Sequence, residues 1–122
     1  ILIHGLAKTS HPKEQARYLL YQVGLTPVED FQKRLPHQIS GGQQQRVAIA
    51  RALASSPAVI LADEPTANLD SETAVLLLDL MQELNRNHQA TFLFSTHDPR
   101  VMERADRLVR LLDGRIQSDE LN

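Results

Sequence analysis

The fold of this 122-residue chain is decided by residues 58–95, which read AVILADEPTANLDSETAVLLLDLMQELNRNHQATFLFS. Residues 58–62 form a continuous apolar run bounded by a proline and an aspartate, a pattern typical of a strand buried on both faces of a parallel sheet. Residues 91–95 predict a second buried strand. Apolar positions between the two runs recur at helical spacing and predict a helix over 71–87. Alternating strands and helices predict an α/β fold.

The flanking segments extend this pattern in both directions. An apolar stripe behind a proline predicts a helix over residues 12–23, and residues 25–38 form a connector with one short helical turn. A further helix begins after Ser40. Beyond the second strand, Asp98-Pro99 predicts another helix start, and residues 107–117 predict two short strands joined by an Asp-Gly turn.

Composition and charge exclude several classes of protein. Thirteen Lys and Arg against 15 Asp and Glu leave a formal charge of -2, so no strong basic field is available to bind nucleic acid. The absence of cysteine excludes disulfide frameworks and thiolate chemistry and suits a reducing compartment. The apolar runs are too short to cross a bilayer, so we expect a soluble, cytoplasmic chain. Residues 1–3, without an initiator Met or a signal peptide, are interpreted as the start of a chain cut in the middle.

Two acidic residues, Asp63 and Glu64, directly follow the first predicted strand. In open parallel sheets, ligands bind beyond the carboxyl ends of the strands, where an aspartate can hold Mg²⁺ on nucleotide phosphates. Beside bound phosphates, Glu64 would orient or deprotonate an attacking water. A solvated acidic pair at the end of a strand is the alternative, and the two residues by themselves leave both interpretations open.

A glycine pair opens the helix that follows Ser40. Gly41 and Gly42 would let the backbone approach a ligand closely, and the first helical turn offers N–H groups and the positive end of the helix dipole to an anion. Ser40 and Gln43 also fit a capping box. The segment therefore predicts either a phosphate clamp or a flexible helix start.

Longer stretches around these residues resemble a known family. Residues 39–53, which read ISGGQQQRVAIARAL, resemble the signature segment of ATP-binding cassette (ABC) ATPases. Residues 58–63 are similar to the Walker B strand of that family, and Glu64 stands at the position of its catalytic glutamate. Residues 67–70 resemble its D-loop, and residues 95–98 resemble its switch-histidine segment. The chain is identified as a member of this family, most similar to the lipoprotein-releasing and macrolide-export branch of bacterial transporters.

The resemblance implies ATP hydrolysis with ATP and Mg²⁺. It implies that Asp63 holds Mg²⁺, that Glu64 acts on the attacking water and that His97 contacts the γ-phosphate. It further implies a homodimer, in which Asp70 couples the two sites and the signature residues bind the nucleotide held by the second ATPase subunit. These signature residues are Ser40, Gly41, Gly42 and Gln43.

The same resemblance implies further partners, a location and a domain layout. The partners are transmembrane permease subunits, with no nucleic acid, and the location is cytoplasmic and peripheral on the inner membrane. Residues 1–56 resemble part of the helical subdomain, ending in the signature helix, and residues 57–122 resemble the C-terminal part of the RecA-like catalytic core. The expected fold is therefore the C-terminal half of a P-loop NTPase core of the ABC type, with part of the helical subdomain.

The chain departs from the family pattern in one way that affects the chemistry. No G-x-x-x-x-G-K-[ST] motif occurs in the 122 residues, so the phosphate-binding loop is missing and this chain alone is expected to be inactive. Two alternatives stay open. One is a non-transport ABC-type ATPase of DNA repair or translation, although the prolines of residues 12–38 disfavour the long coiled coil of the repair type. The other is an inactive truncated fragment that serves only as a binding or structural piece.

Overall fold

The computed structural model describes residues 11–122, so residues 1–10, the beginning of the predicted helical part, lie outside the described residues. The helices are α1 (Pro12–Gln22), α2 (Val28–Gln32), a 3-10 helix (Pro36–Gln38), α3 (Gly41–Leu53), α4 (Ser71–His88) and α5 (Pro99–Arg104). The strands are β1 (Val59–Asp63), β2 (Thr91–Ser95), β3 (Arg107–Leu112) and β4 (Arg115–Leu121). The predicted order of helices and strands is confirmed.

The end of α1 is shaped by its contact with α3. Gly24 has φ +73°, a left-handed conformation that glycine adopts without steric cost, and it follows the last turn of α1. The Arg46 guanidinium of α3 donates to the Val23 carbonyl at 2.7 Å. A Cβ at position 24 would lie only 2.9 Å from the same guanidinium. The positive φ therefore favours glycine here, whereas the Arg46 guanidinium is the end of a flexible side chain that can shift.

The strands form two separate two-stranded sheets. β1 and β2 are parallel neighbours, with Ile60 opposite Phe92 and Asp63 opposite Ser95 at the last rung. β3 and β4 are antiparallel and are joined by the predicted Asp113-Gly114 turn, in which both residues have positive φ. The connection from β1 to β2 runs through α4, as expected of a parallel pair.

The hydrophobic core lies between the helices and one face of the β1–β2 sheet. α4 contributes the largest share of it, as the helical spacing of its apolar positions predicted. The core residues of α4 are Ala74, Leu77, Leu78, Leu80, Met81 and Leu84. Leu53 of α3 and Val101 of α5 are also almost fully buried. Burial of each such side chain contributes roughly 1.5–3 kcal/mol to stability.

Within residues 11–122, β1 and β2 are covered on one face only, which differs from the predicted burial on both faces. Ile60 is 7% exposed, but its neighbour Leu61 is 74% exposed, and Leu93 on β2 is 61% exposed. Alternate side chains of a strand point to opposite faces, and the helices cover the face that carries Ile60. The other face carries apolar residues without cover among the described residues. None of the helices in residues 11–122 combines the length and apolarity needed to span a bilayer.

Candidate functional site

Glu64 and His97 lie where the parallel strands β1 and β2 end. The Glu64 N–H donates to the Ser95 carbonyl at 2.8 Å, so the pairing of the strands continues to the first residue beyond β1. Glu64 has φ +45°, which turns the chain sharply at this point. His97 follows two residues after the end of β2. Both side chains therefore occupy the carboxyl edge of the sheet, where α/β proteins place their ligands.

The Glu64 carboxylate is held through both of its oxygens. His97 Nδ1 lies 2.8 Å from Glu64 Oε1, and the Thr96 hydroxyl donates to Glu64 Oε2 at 3.2 Å. An ionised carboxylate can only accept, so Nδ1 is the protonated ring nitrogen in this contact. The Glu64 side chain is half-buried and His97 is almost fully exposed. The pair thus presents an oriented carboxylate and a free imidazole Nε2 to the same side of the sheet.

Asp63 ends β1 beside this pair, with its side chain exposed. Within residues 11–122 there is no group of three or more His, Cys, Asp and Glu side chains that could hold a metal ion. Mg²⁺ bound to a nucleotide needs fewer protein ligands, because one or two carboxylates are joined by phosphate oxygens and water. The single exposed carboxylate of Asp63 fits that kind of site and does not fit a metal site made of protein alone.

The predicted capping box at the start of α3 is confirmed. Ser40 Oγ accepts from the Gln43 N–H at 3.1 Å, and Gln43 Oε1 accepts from the Ser40 N–H at 2.9 Å. Ser40 and Gln43 therefore stabilise the helix start, a contribution of about 1 kcal/mol for a serine cap. Both Ser40 and Gly41 remain exposed, so the first turn of α3 is accessible from solvent.

Gly42 has a structural reason to be glycine that the sequence did not reveal. It is buried against α4, and a Cβ at this position would overlap the Thr73 Cγ2 methyl group. A Cβ at Gly41, in contrast, would meet Leu69 Cδ2 at 3.6 Å, an ordinary contact. The close approach predicted for a ligand is, at Gly42, an approach to the chain's own Thr73.

Asp70 meets the same threonine from the other side. It is the N-cap of α4, and its carboxylate accepts from the Thr73 hydroxyl and from the Thr73 N–H, the latter at 3.1 Å. These two hydrogen bonds, the one from the hydroxyl first, lower the pKa of Asp70. The start of α3 and the start of α4 are thus brought together around Thr73. The predicted site residues form two clusters. Of these residues, the strand-end cluster contains Asp63, Glu64 and His97, and the second cluster, at the starts of α3 and α4, contains Ser40, Gly41, Gly42, Gln43 and Asp70.

Three residues of the strand-end cluster were not predicted. Thr96 contacts Glu64 directly, and Thr66 donates a hydrogen bond to the Asp98 carboxylate at 2.6 Å. Asp98 was predicted only as a helix cap, a role that it also has, because it accepts from the Arg100 N–H. Their position along the chain could have indicated them, since each lies within two residues of Glu64 or His97.

A cavity of about 450 Å³ lies away from this edge of the sheet, between α1 and α4. Its lining includes Tyr21, Leu76 and Asp79, and none of the predicted site residues. It is an open groove between helix surfaces whose polar lining includes Arg46, Asp79 and Glu83, and it contains neither Glu64 nor His97. The strand ends therefore remain the better candidate for chemistry.

Comparison with known families decides the classification of the chain. The sequence profile of the ABC transporter family matches residues 3–67, which is more than half of the chain. The chain belongs to the ABC transporter family. The predicted family is confirmed, and with it the ABC-type α/β fold.

Individual relatives show which branch of the ABC transporter family the chain resembles. The chain is 55% identical over 106 residues to the lipoprotein-releasing system ATP-binding protein LolD of Anaeromyxobacter dehalogenans, covering 87% of this chain and 43% of that protein. It is 44% identical over 119 residues to LolD 1 of Chlorobium chlorochromatii, covering 98% of this chain and 47% of that protein. The chain thus spans a little less than half the length of these relatives. The predicted likeness to the lipoprotein-releasing branch is confirmed.

A solved structure of an ABC cassette shares this fold. The chain is similar to the ATP-binding cassette MJ0796, solved as a dimer in a post-hydrolysis state bound to ADP and Pi. The TM-score is 0.74 and the sequence identity is 40%, with 93% of this chain and 49% of that chain covered.

Proposed function

We propose that this chain is the C-terminal part of the ATP-binding subunit of a bacterial ABC transporter of the lipoprotein-releasing type. The intact subunit, meaning the longer protein of which this chain is a part, hydrolyses ATP and energises lipoprotein extraction or substrate export. One observation carries the proposal: the Glu64 carboxylate is held by Thr96 and His97 at the carboxyl ends of two parallel strands. The likeness to LolD proteins supports it.

Glu64 is the group that acts on water in this proposal. Its two oxygens are already oriented by Thr96 and His97, so the carboxylate does not need to reorganise when a water molecule approaches. A lone pair that remains on the carboxylate accepts a hydrogen bond from the water and then its proton, as the water oxygen bonds to the γ-phosphorus and the bond to the bridging β–γ oxygen breaks to release ADP.

His97 connects Glu64 to the phosphate. Nδ1–H donates to Glu64, so Nε2 is the ring nitrogen left for the nucleotide, and because phosphate oxygens only accept, Nε2 would also have to carry a proton to donate to the γ-phosphate. Because the side chain is almost fully exposed, the imidazole reaches solvent and any nucleotide at this edge. We assign His97 the role of sensing the γ-phosphate while it holds the carboxylate of Glu64.

Asp63 would hold Mg²⁺ on the nucleotide, largely through water. When bound, the ion neutralises charge on the phosphate oxygens. Asp63 suits this role because its carboxylate is exposed at the end of β1, one residue before Glu64. The remaining ligands would come from phosphate oxygens and water.

The second cluster is assigned to binding between subunits. In a homodimer, the first turn of α3 would meet the phosphates of the nucleotide held by the other subunit, because Ser40 and Gly41 are exposed and helix N-termini attract anions. The residues assigned to this surface are Ser40, Gly41, Gly42 and Gln43. Asp70 would couple the two sites; it lies beside this surface, because its carboxylate binds the Thr73 side chain that also approaches Gly42.

We assign residues 1–56 to the helical subdomain and residues 57–122 to the catalytic core. The further partners are transmembrane permease subunits, which place the subunit at the cytoplasmic face of the inner membrane. The repair-type alternative lacks support, because the described part of residues 12–38 contains α1, α2 and a 3-10 turn, the longest of them 11 residues. These elements are much shorter than the several heptads of a coiled coil.

The test is the variant Glu64→Gln in the intact subunit. Glutamine keeps the size of the side chain but removes its ability to take a proton, so we expect ATP hydrolysis to fall by about 10²–10⁴-fold. ATP binding should be retained, and an ATP-bound dimer should accumulate. Steady-state phosphate release and size-exclusion chromatography with ATP measure the two effects.

The matched control is Glu103→Gln, the same substitution at an exposed position of α5. It should hydrolyse ATP at the wild-type rate. Turnover near the wild-type rate in Glu64→Gln would overturn the assignment of Glu64 and with it the proposed function of the site.

A further inference from the structure

Beyond the last residue pair of β1 and β2, the turn that follows β1 and the turn that follows β2 are connected mainly by side chains. Glu64 opens the first turn with φ +45°. A left-handed conformation of this kind costs a non-glycine residue of order 1–3 kcal/mol and persists where the surroundings impose it. Contacts between the two turns therefore decide how the Glu64 carboxylate is held.

Thr66 anchors the first turn. Among residues 11–122 it is the one polar residue in the buried set, with 4% of its surface exposed. Its hydroxyl donates to Asp98 Oδ2 at 2.6 Å. Loss of a partner in so dry a position would leave a polar group without its hydrogen bond, so the contact between the two turns is strongly favoured.

Asp98 is the fixed acceptor of the second turn. The Arg100 guanidinium donates to both of its oxygens, from Nε at 3.0 Å and from Nη2 at 2.7 Å, and the Arg100 N–H adds a third contact at 2.9 Å. The guanidinium first, and then the Thr66 hydroxyl, hold the pKa of Asp98 well below its usual range. The carboxylate is therefore an acceptor at any physiological pH.

A hydrogen bond leads from Asp98 back to Glu64. The Asp98 N–H donates to Thr96 Oγ1 at 3.0 Å, which uses a lone pair of that oxygen. The hydroxyl proton of Thr96 is thereby free to point at Glu64 Oε2, 3.2 Å away. Glu64 and Thr66 are two residues apart, so the hydrogen bonds and the backbone close a ring through both turns.

We propose that Thr66 and Asp98 are positioning residues that hold Thr96 and His97 against the Glu64 carboxylate. Neither is assigned a contact with the nucleotide. Their hydrogen bond fixes the distance between the turn that carries Glu64 and the turn that carries His97. This inference rests on the proposed function, because it assigns the pair a role in the same site.

The test compares Thr66→Val and Thr66→Ser in the intact subunit. Valine matches threonine in shape but cannot donate to Asp98, whereas serine keeps the hydroxyl and loses only a methyl group. We expect valine to lower kcat about 10- to 100-fold, since small misplacements of catalytic groups have effects of this size. KM for ATP should change much less than kcat, because His97 is the one residue assigned to the phosphates that this hydrogen bond is proposed to hold. Serine should restore kcat.

Two further measurements separate positioning from folding. Isothermal titration with ATP counts the binding-competent subunits, and the stoichiometry of Thr66→Val should equal that of wild type. A kcat that stays at the wild-type level in the valine variant overturns the proposal. A fall in kcat that matches a fall in binding stoichiometry, or that serine does not restore, overturns it as well.

A second pair of variants covers the case in which valine at position 66 prevents folding. Asp98→Ala removes the acceptor of the Thr66–Asp98 hydrogen bond. Asp119→Ala removes an Arg–Asp pair of similar forked geometry on the β3–β4 hairpin. We expect kcat to fall for Asp98→Ala and to be unchanged for Asp119→Ala. Equal kcat in the two variants would contradict the positioning role proposed for the Thr66–Asp98 hydrogen bond.

The Glu64→Gln variant shows which claim has failed. If Glu64→Gln keeps its turnover, the proposed function fails. If Glu64→Gln is inactive but Thr66→Val is as fast as wild type, only the positioning role fails.

Discussion

Glu64 Oε1 lies 2.8 Å from His97 Nδ1, although 33 positions separate the two residues along the chain. The contact follows from the parallel pairing of β1 and β2, which places Asp63 opposite Ser95 and brings the next residues of both strands to one edge. The intervening α4 returns the chain to the start of β2 and packs its apolar side on the sheet. The geometry of the pair thus depends on the whole strand–helix–strand unit.

Replacement of Ser40 by arginine should prevent the ATP-driven dimer of the intact subunit. The exposed first turn of α3 would then carry a bulky side chain where the partner's nucleotide is proposed to bind. Light scattering with Mg-ATP in the Glu64→Gln background measures dimer formation. Ser40→Ala is the comparison, since it loses the same helix cap without adding bulk. Equal dimer formation by both variants would contradict the role proposed for the signature residues.

Alanine at Gly42 should destabilise the intact subunit, and alanine at Gly41 should not. The new methyl group at position 42 would overlap the Thr73 side chain, and overpacking of this kind costs about 1–3 kcal/mol. At position 41 it would lie 3.6 Å from Leu69, an ordinary contact. Thermal unfolding followed by circular dichroism compares the two. A melting temperature for Gly42→Ala equal to that of Gly41→Ala would show that α3 and α4 do not approach this closely.

Acid should remove the stabilising effect of Asp98. Its pKa is lowered in the folded state, mainly by the Arg100 guanidinium, so its contribution is fully present above the unfolded value of about 3.9 and is lost as the pH falls below it. The melting temperatures of wild type and Asp98→Ala should therefore differ by a constant amount between about pH 5 and 8, begin to converge below about pH 4, and continue to converge as the pH falls toward the lowered pKa of the folded state.

Asp119→Ala provides the control for that measurement. The Asp98 side chain is 14% exposed and the Asp119 side chain is 40% exposed, so the Asp119 pair is screened more strongly by solvent. Its removal should change the melting temperature less at every pH. A difference in melting temperature between wild type and Asp98→Ala that grows as the pH falls would be opposite to the expected change. It would contradict the stabilising role of ionised Asp98.

The 122-residue chain by itself should bind ATP weakly and should not hydrolyse it. The chain contains no phosphate-binding loop, whose backbone and lysine donate several charge-assisted hydrogen bonds of about 1.5–3 kcal/mol each. A dissociation constant of about 1 mM or weaker is expected, equivalent to about 4 kcal/mol of binding free energy. Isothermal titration with Mg-ATP measures this, and micromolar affinity would contradict the prediction.

Local sequence patterns were sufficient for the order of helices and strands, although β4 continues to Leu121, beyond the predicted end at residue 117. Ser40 with Gln43, and Asp98 with Pro99, are helix starts whose hydrogen bonds involve near neighbours, so the residues themselves carry the information. The same holds for the Asp113-Gly114 turn, which requires positive φ at both positions. Such elements depend on interactions over a few residues and can be read without knowledge of the fold.

Burial of the sheet could not be read in this way. The apolar run that forms β1 predicted cover on both faces, and within residues 11–122 Ile60 is buried while Leu61 is exposed. A run of apolar residues indicates that either face of a strand can be buried. Which face is covered depends on the elements that pack beside the strand. The face that α4 covers is therefore set by tertiary packing.

The sequence by itself determined the family, the α/β order and the positions of Asp63, Glu64 and His97 at strand ends, because motifs and hydrophobic periodicity are properties of consecutive residues. Only the tertiary structure decided that Gly42 approaches Thr73 and that Thr66 bonds to Asp98. Each of these contacts joins segments about 30 residues apart, and such distances are set by how helices and strands pack. Packing depends on shape in three dimensions, which no spacing along the chain records.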